Sequence, residues 1–312
     1  MKRLRIGHLS TFYHTAVILM AEDLIGKRIN IEAEWRLFGT GPAIVNALER
    51  GELDIAYIGL PPALIGIWRG VRIKCIAGGH IEGTVISGKT QYSGWPGIQD
   101  LGAILAQFRG MKIGVPGKGS IHDVILTDCL DRFGLSDEIA VVNYSWADQV
   151  TEAMARDELS VAVGTPALAV SVNRFANGKV LYPPSKLWPN NPSYGILAEE
   201  SFLGQEKEIA EEFLKLHEEA TALLRNDPVR ASEIISRFIG FVDRDFVFDT
   251  LAISPKYCAG ITDDYIASTM EFVRIMKKLG YIGRELNPEE IFDRSLITRV
   301  HPEKEHYNNV LQ

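Results

Sequence analysis

The chain has 312 residues, 46% of them hydrophobic and 23% charged, with a formal net charge of −7. This is the composition of a soluble globular protein long enough for two domains. It has no Lys/Arg-rich run, no basic–aromatic stripe and no apolar stretch of about 18 residues, which sets aside nucleic acid as a partner and a membrane-spanning helix.

In chain order, residues 4–9 read as a short strand and 10–15 as the loop after it, followed by a helix over 16–25 that ends at Gly26. Ile31, Ala33, Trp35 and Leu37 alternate with Glu32, Glu34 and Arg36, a period of two that predicts a half-exposed strand. Gly39, Thr40, Gly41 and Pro42 turn the chain into a helix that runs to Arg50 and stops at Gly51, with Pro42 in the first helical turn. Residues 54–58 form the next strand; Gly59, Leu60, Pro61 and Pro62 open a helix through Trp68, and 72–77 is strand again. This repeated strand–turn–helix unit predicts α/β architecture around mainly parallel sheets. The polar, turn-rich stretch 88–97 (GKTQYSGWPG) reads as a crossover between two lobes.

A second set of units follows, with strands over 112–115, 139–143, 160–163 and 179–182 and helices over 121–133, 147–156 and 166–175. After the Pro/Asn-rich stretch 183–192, residues 194–198 read as a strand that returns to the first lobe. Ile209, Phe213, Leu216, Ala220 and Leu223 recur at helical spacing, Pro228 opens another helix, and 265–279 forms a third. The pattern divides the chain into one lobe of residues 1–87 and 195–312 and a second lobe of residues 88–194 inserted in it. Two crossovers make a hinged clamp, and ligands favour such clefts at the C-terminal ends of strands.

The turn with the clearest chemistry lies in the segment KIGVPGKGSIHD, from Lys112 to Asp123. A strand there ends in a Pro/Gly turn that opens directly into a helix, baring the first backbone N–H groups and the positive end of the helix dipole to an anion or polar head. Ser120 is the N-cap and Asp123 stands three residues on, as in a capping box. The same reading applies to Thr40 and Gly41 at their helix start. Phe12, Tyr13 and His14 supply rings and hydrogen-bonding groups for a ring or acid group.

Catalytic motifs fail one by one. Gly114 to Ser120 brushes against a P-loop but has Ser120 where the lysine belongs, and Gly39 to Gly41 lacks the third glycine of a dinucleotide fingerprint. His217 and Glu218 lack the second histidine of HExxH because Thr221 occupies its place, and no GxSxG elbow occurs. Seven scattered histidines predict no zinc centre, and Cys75, Cys129 and Cys258, far apart and odd in number, read as buried small hydrophobes. Asp54 reads as a pairing or capping carboxylate, and Trp35 and Trp68 as packing residues. No catalytic residue, metal or cofactor is predicted. The basic N-terminus lacks the apolar core of a signal peptide, so the chain as written is cytoplasmic, or periplasmic or at the cell surface if a leader has been removed.

Five segments, in order, carry a family resemblance: IGHLSTFYHTAVILMAEDLIG; FGTGPAIVNALERGELDIAYIGLPPAL; Asp100 and Leu101 followed by RGMKIGVP; Gly164 to Ala167; and LGYIGRELNPEEIFDRSLI. Together they resemble the nitrate, sulfonate, taurine and thiamine-precursor binding proteins of ABC importers, a group of type II periplasmic binding proteins. The resemblance implies an α/β fold of two lobes with a hinge and an interlobe cleft. It implies a monomer that captures a small polar or anionic solute (a sulfonate, another small anion, or a pyrimidine or thiamine precursor) for an ABC permease. The contacts it implies are Thr11, Phe12, Tyr13, His14, Thr40, Gly41, Gly59, Leu60, Lys118, Gly119, Ser120, His122 and Thr165. The alternative is a cytosolic enzyme or ligand sensor on the same fold, in menaquinone- or thiamine-type cofactor synthesis. The chain lacks the cysteine-rich CCCFC segment of the pyrimidine synthase of this fold.

Overall fold

Two five-stranded mixed sheets carry the chain, and a computed structural model describes residues 2–304, 306 and 307. The first sheet uses β1 (Arg3–Leu9), β2 (Glu32–Phe38), β3 (Ile55–Ile58) and β4 (Ile73–Ile81). Helices α1 (Thr15–Ala21), α2 (Leu24–Ile29), α3 (Gly41–Glu49) and α4 (Leu60–Trp68) alternate with these strands. The second sheet uses β5 (Val85–Lys89), β6 (Lys112–Pro116), β7 (Ala140–Tyr144), β8 (Val161–Gly164) and β9 (Gly178–Tyr182), with α5 (Leu101–Ala106), α6 (Ile121–Arg132), α7 (Ala147–Ala155) and α8 (Pro166–Phe175). The short α9 (Pro184–Leu187) then leads to β10 (Pro192–Glu199), which re-enters the first sheet.

The two sheets repeat one plan, β2-β1-β3-β10-β4 and β7-β6-β8-β5-β9. In each, the first three strands of that order run parallel, as the strand–turn–helix rhythm predicts, and the fourth runs antiparallel to both neighbours. The antiparallel strand is the one that has just crossed from the other sheet: β5 on the way out, β10 on the way back. The outward crossing occupies residues 82–84, so the turn-rich stretch 88–97 follows β5 within the second sheet's lobe. The crossings are laced together. The Glu82 amide donates to Asn191 O (2.9 Å), and the Glu82 carboxylate accepts from the Asn190 amide (3.1 Å) and from Lys256 Nζ (3.0 Å). Both Glu82 (φ 60°) and Asn190 (φ 58°) sit in the left-handed region that non-glycine residues seldom adopt.

The expected helix over 16–25 is instead two helices. Asp23 adopts φ 48° and breaks the run, and α2 continues through Gly26 to Ile29. A side chain at Gly26 would place its Cβ 2.7 Å from the Asp23 carboxylate, so this glycine marks close packing and not a helix stop. Asp54 pairs with Arg5 (Nη2 to Oδ1, 2.5 Å) and ties the start of β3 to β1. The remaining helices are α10 (Glu200–Gln205), α11 (Lys207–Asn226), α12 (Pro228–Ile239), α13 (Arg244–Ile253), α14 (Asp263–Lys278), α15 (Pro288–Ile291) and α16 (Ile297–Val300). Of these, α11 packs on α1 and α2, and α14 on α4, so they enlarge the first lobe. Helix α13 reaches across to α8, where Arg174 binds Asp243 (2.8 Å) and Asp249 (3.0 Å). Helices α5, α9, α10, α13, α15 and α16 are additional to the elements read from the sequence; of these, α5 and α13 are each capped by an aspartate, Asp100 and Asp243. No helix among the described residues is long and apolar enough to cross a membrane.

Candidate ligand-binding site between the lobes

Five helices begin around one cavity. Their N-cap residues, His14, Thr40, Gly59, Ser120 and Thr165, all line it. Each follows directly from the C-terminal end of a parallel strand: β1, β2, β3, β6 and β8 respectively. The interior leaves about 60 Å³ for the centre of a water-sized sphere. The first sheet's lobe contributes Thr11, Tyr13, His14, Thr40, Gly41 and Gly59, and the second contributes Ser120, His122 and Thr165. The lobes meet closely beside it. A Cβ on Gly39 would lie 2.5 Å from Ser145 O and about 3 Å from the Trp146 ring.

On the second-lobe side the hydroxyls are committed to holding turns. Ser120 Oγ donates to Pro116 O (2.7 Å) and accepts from the Asp123 amide (3.2 Å), while the Asp123 carboxylate accepts from the Gly119 amide (2.7 Å). The Ser120 cap is the one its position predicts, but the Asp123 carboxylate takes the Gly119 amide and not the Ser120 amide, so the reciprocal half of a capping box is shifted by one residue; the Ile121 and His122 amides, at the first two helical positions, are left without an intrahelical acceptor. Thr165 Oγ1 accepts from the Leu168 amide (3.1 Å). His122 Nδ1 lies 3.0 Å from Thr84 Oγ1; with the hydroxyl donating, Nε2 carries the ring proton and is the nitrogen available to a solute.

The first-lobe side is an aromatic and histidine cluster. His14 packs at 4.0 Å from the Tyr194 ring and 4.7 Å from Tyr13, whose hydroxyl shares a hydrogen bond with Ser193 (3.2 Å). Tyr257 OH donates to Tyr13 O (3.1 Å) and fixes the loop from behind. Of the atoms lining this side, the buried Thr11 Oγ1 and His14 Nδ1 have no hydrogen-bond partner among the described residues. Such a group costs about 1–3 kcal/mol unless a bound molecule satisfies it.

Among the described residues, no Asp, Glu, Lys or Arg lines the cavity. Burial, with the nearby His80 and His8, holds His14 well below the usual imidazole range, and burial pushes His122 down to about 3, so both rings are neutral at neutral pH. The field inside therefore comes from the helix starts, each carrying about half a positive elementary charge. Pro42, Pro61, Pro62 and Pro166 occupy first-turn positions and remove amide donors, which leaves a few fixed N–H groups to set orientation.

Four of the residues read from the sequence as contacts do not line the cavity. Phe12 packs edge-on against Phe241 and Phe246, and Leu60 is buried in the core. Lys118 is exposed in a neighbouring recess with Asn143 and Trp146, and the Gly119 amide is taken by Asp123. Conversely, the lining includes Ser10, Ile121 and Ser193, and Thr84 stands behind His122. Ser10 adjoins the predicted loop and Ile121 the predicted turn, but Ser193 arrives on the returning strand and Thr84 in the crossing. No local pattern marks either.

A model of the NMT1-like family matches residues 1–239. A Brucella abortus protein with a provisional binding-protein name is 24% identical over 241 residues, 75% of this chain and 71% of its own. Among solved structures, the ligand-binding component of an ABC-type import system from Staphylococcus aureus, with zinc bound, superposes with a TM-score of 0.80 at 17% identity, over 97% of this chain and 100% of that one. The alkanesulfonate-binding protein SsuA from Xanthomonas axonopodis pv. citri, bound to MOPS, gives a TM-score of 0.80 at 17% identity, over 94% of this chain and 98% of that one. The shared architecture is the two-lobe, type II periplasmic-binding-protein fold.

Proposed function

The chain belongs to the NMT1-like family, and from that premise we propose that it is the solute-binding component of an ABC importer for a small anion of the sulfonate type. The observation that carries this reading is the convergence of the helix starts capped by His14, Thr40, Gly59, Ser120 and Thr165 on a cavity lined by no charged side chain. A strong, delocalised acid such as a sulfonate needs several weak, fixed donors and no proton acceptor, and neutral amides, hydroxyls and imidazoles provide that. The alkanesulfonate-binding name of the Xanthomonas neighbour agrees with it.

The mechanism follows from the division of the lining between the lobes. The polar groups of Thr11 and His14 hold the solute on the first lobe. Closure about residues 82–84 and 183–191 then brings up the amides of Ile121 and His122. A solute that touches both lobes stabilises the closed form by its differential affinity. The closed form is what a permease would recognise.

The test is calorimetric titration of solute-stripped protein with short alkanesulfonates, nitrate, bicarbonate and neutral pyrimidines, followed by thermal melts. An alkanesulfonate at about 100 times its Kd adds about 2.7 kcal/mol. Binding of a neutral pyrimidine with no response to any anion overturns the anion assignment, and silence across the panel overturns solute capture of these classes.

A further inference from the structure

Away from the cleft, the segment after α13 and the chain beyond α16 bring together Cys258, His301 and His306, whose ligating atoms lie within 4.8 Å of one another. We propose that these three residues form a binding site for a zinc-like divalent transition-metal ion, with the fourth coordination position left to solvent or an outside ligand. Cys258 Sγ stands 3.5 Å from His301 Nε2. In a zinc tetrahedron with Zn–S of about 2.3 Å and Zn–N of about 2.0 Å, the sulfur–nitrogen edge is also about 3.5 Å.

A carboxylate lies close to the outer nitrogen of each imidazole. His301 Nδ1 stands 3.1 Å from Glu218 Oε2, and His306 Nε2 stands 3.0 Å from Glu303 Oε2. With a metal bound, a small turn of either carboxylate would let it accept the outer N–H, which sets the tautomer and turns the inner nitrogen toward the ion. The remaining nitrogen of His306, Nδ1, is buried with no hydrogen-bond partner among the described residues. Gly260 keeps the space open: a Cβ there would sit 3.4 Å from both Cys258 Sγ and His301 Nε2, between the two donors. Cys258 is held in place from the other side, its amide donating to Gly79 O (3.1 Å) and its carbonyl accepting from Tyr307 OH (3.0 Å). A groove of about 460 Å³ along Gly260, Arg294, His301 and Glu303 gives an ion access from solvent. One thiolate and two imidazoles favour zinc or cobalt over magnesium or calcium, which take oxygen. On binding, the Cys258 thiol loses its proton to solvent, and both rings ligate as neutral imidazoles. The ion would staple residues 301–306 to α11 and β4 of the first lobe.

Chelator-stripped full-length protein titrated with Co²⁺ provides the test. One ion per chain is expected, with a thiolate-to-cobalt charge-transfer band and the visible bands of a tetrahedral site. Cys258→Ser abolishes the charge-transfer band, whereas Cys75→Ser and Cys129→Ser leave it. His306→Gln, at a half-buried position, weakens Co²⁺ by at least about 30-fold with the melting temperature of metal-free protein held; Glu218→Gln weakens zinc by about 10–100-fold and retains the band. No charge-transfer band at saturating Co²⁺ in folded protein, a band that survives Cys258→Ser, or an unchanged Co²⁺ affinity in His306→Gln, overturns the site.

Discussion

The two walls of the cleft are built differently. The first-lobe wall is a packed aromatic cluster around Tyr13, His14 and Tyr194 that leaves Thr11 Oγ1 and His14 Nδ1 unsatisfied. On the second-lobe wall the Ser120 and Thr165 hydroxyls are spent on caps, and the groups on offer are backbone amides and the His122 Nε2–H. In the proposed function, the first wall's unmet side-chain groups discriminate between solutes, and the second wall adds the field of its helix starts when the lobes meet. The histidines follow the same division, since His80 and His217 lie in the core behind the first wall and His122 is on the second.

Acid breaks the comparison most severely. Burial lowers the folded-state values of His80 and His217 to about 4 and of His122 to about 3, below the unfolded value near 6.5. The unfolded chain thus binds the proton first, and stability present above pH 6.5 is lost as pH falls toward the folded values. Each ring costs about 1.4 kcal/mol per pH unit in that window, several kcal/mol together by pH 5. His217 illustrates the cause. Its Nε2–H donates to Gly78 O (2.8 Å) and its Nδ1 accepts from Thr15 Oγ1 (2.9 Å), so the neutral ring is fully satisfied and a second proton has no acceptor. Denaturant titrations at pH 7, 6 and 5 measure this, and equal midpoints would contradict it. Solute affinity, by contrast, stays level from pH 6 to 8, because no lining group has its charge change there.

The next effect acts on the meeting of the walls. Gly39→Val sets a side chain against Ser145 O and Trp146, penalises closure and weakens solute binding by about 100-fold, while the melting temperature without solute barely moves. Equal losses of affinity and stability would mean that Gly39 serves the fold and not closure.

Smaller is Thr11→Val, which removes one unsatisfied hydroxyl and keeps the shape. Affinity falls about 10-fold, and stability without solute holds or rises by up to about 1 kcal/mol. A loss of stability would show that the hydroxyl has a partner within the protein. Smallest for binding is Ser120→Ala. Losing the cap costs about 1 kcal/mol of stability. Affinity drops only a few-fold, because the hydroxyl proton is already given to Pro116 O. A loss as large as that of Thr11→Val would place the Ser120 hydroxyl on the solute and erase the contrast between the walls.

What the sequence determined by itself was local. The period-two run from Ile31 to Leu37, the caps Thr40, Ser120 and Thr165, and the prolines behind them act within a few residues of chain, so pattern alone located the strand ends and helix starts that line the cleft. Where a side chain points from a loop, and what arrives from elsewhere, was decided only by the tertiary structure. Within one loop Tyr13 and His14 turn toward the cavity and Phe12 toward α13, because each ring goes where apolar surface from a distant helix can cover it. Asp23 breaks a helix that its neighbours favour, and Gly26 is accounted for by that break. Ser193, Thr84 and the Cys258, His301 and His306 cluster are joined by contacts across 38 residues or more, or by two strands that change sheets. Such contacts depend on the register of sheets and the docking of helices, which no window of sequence contains.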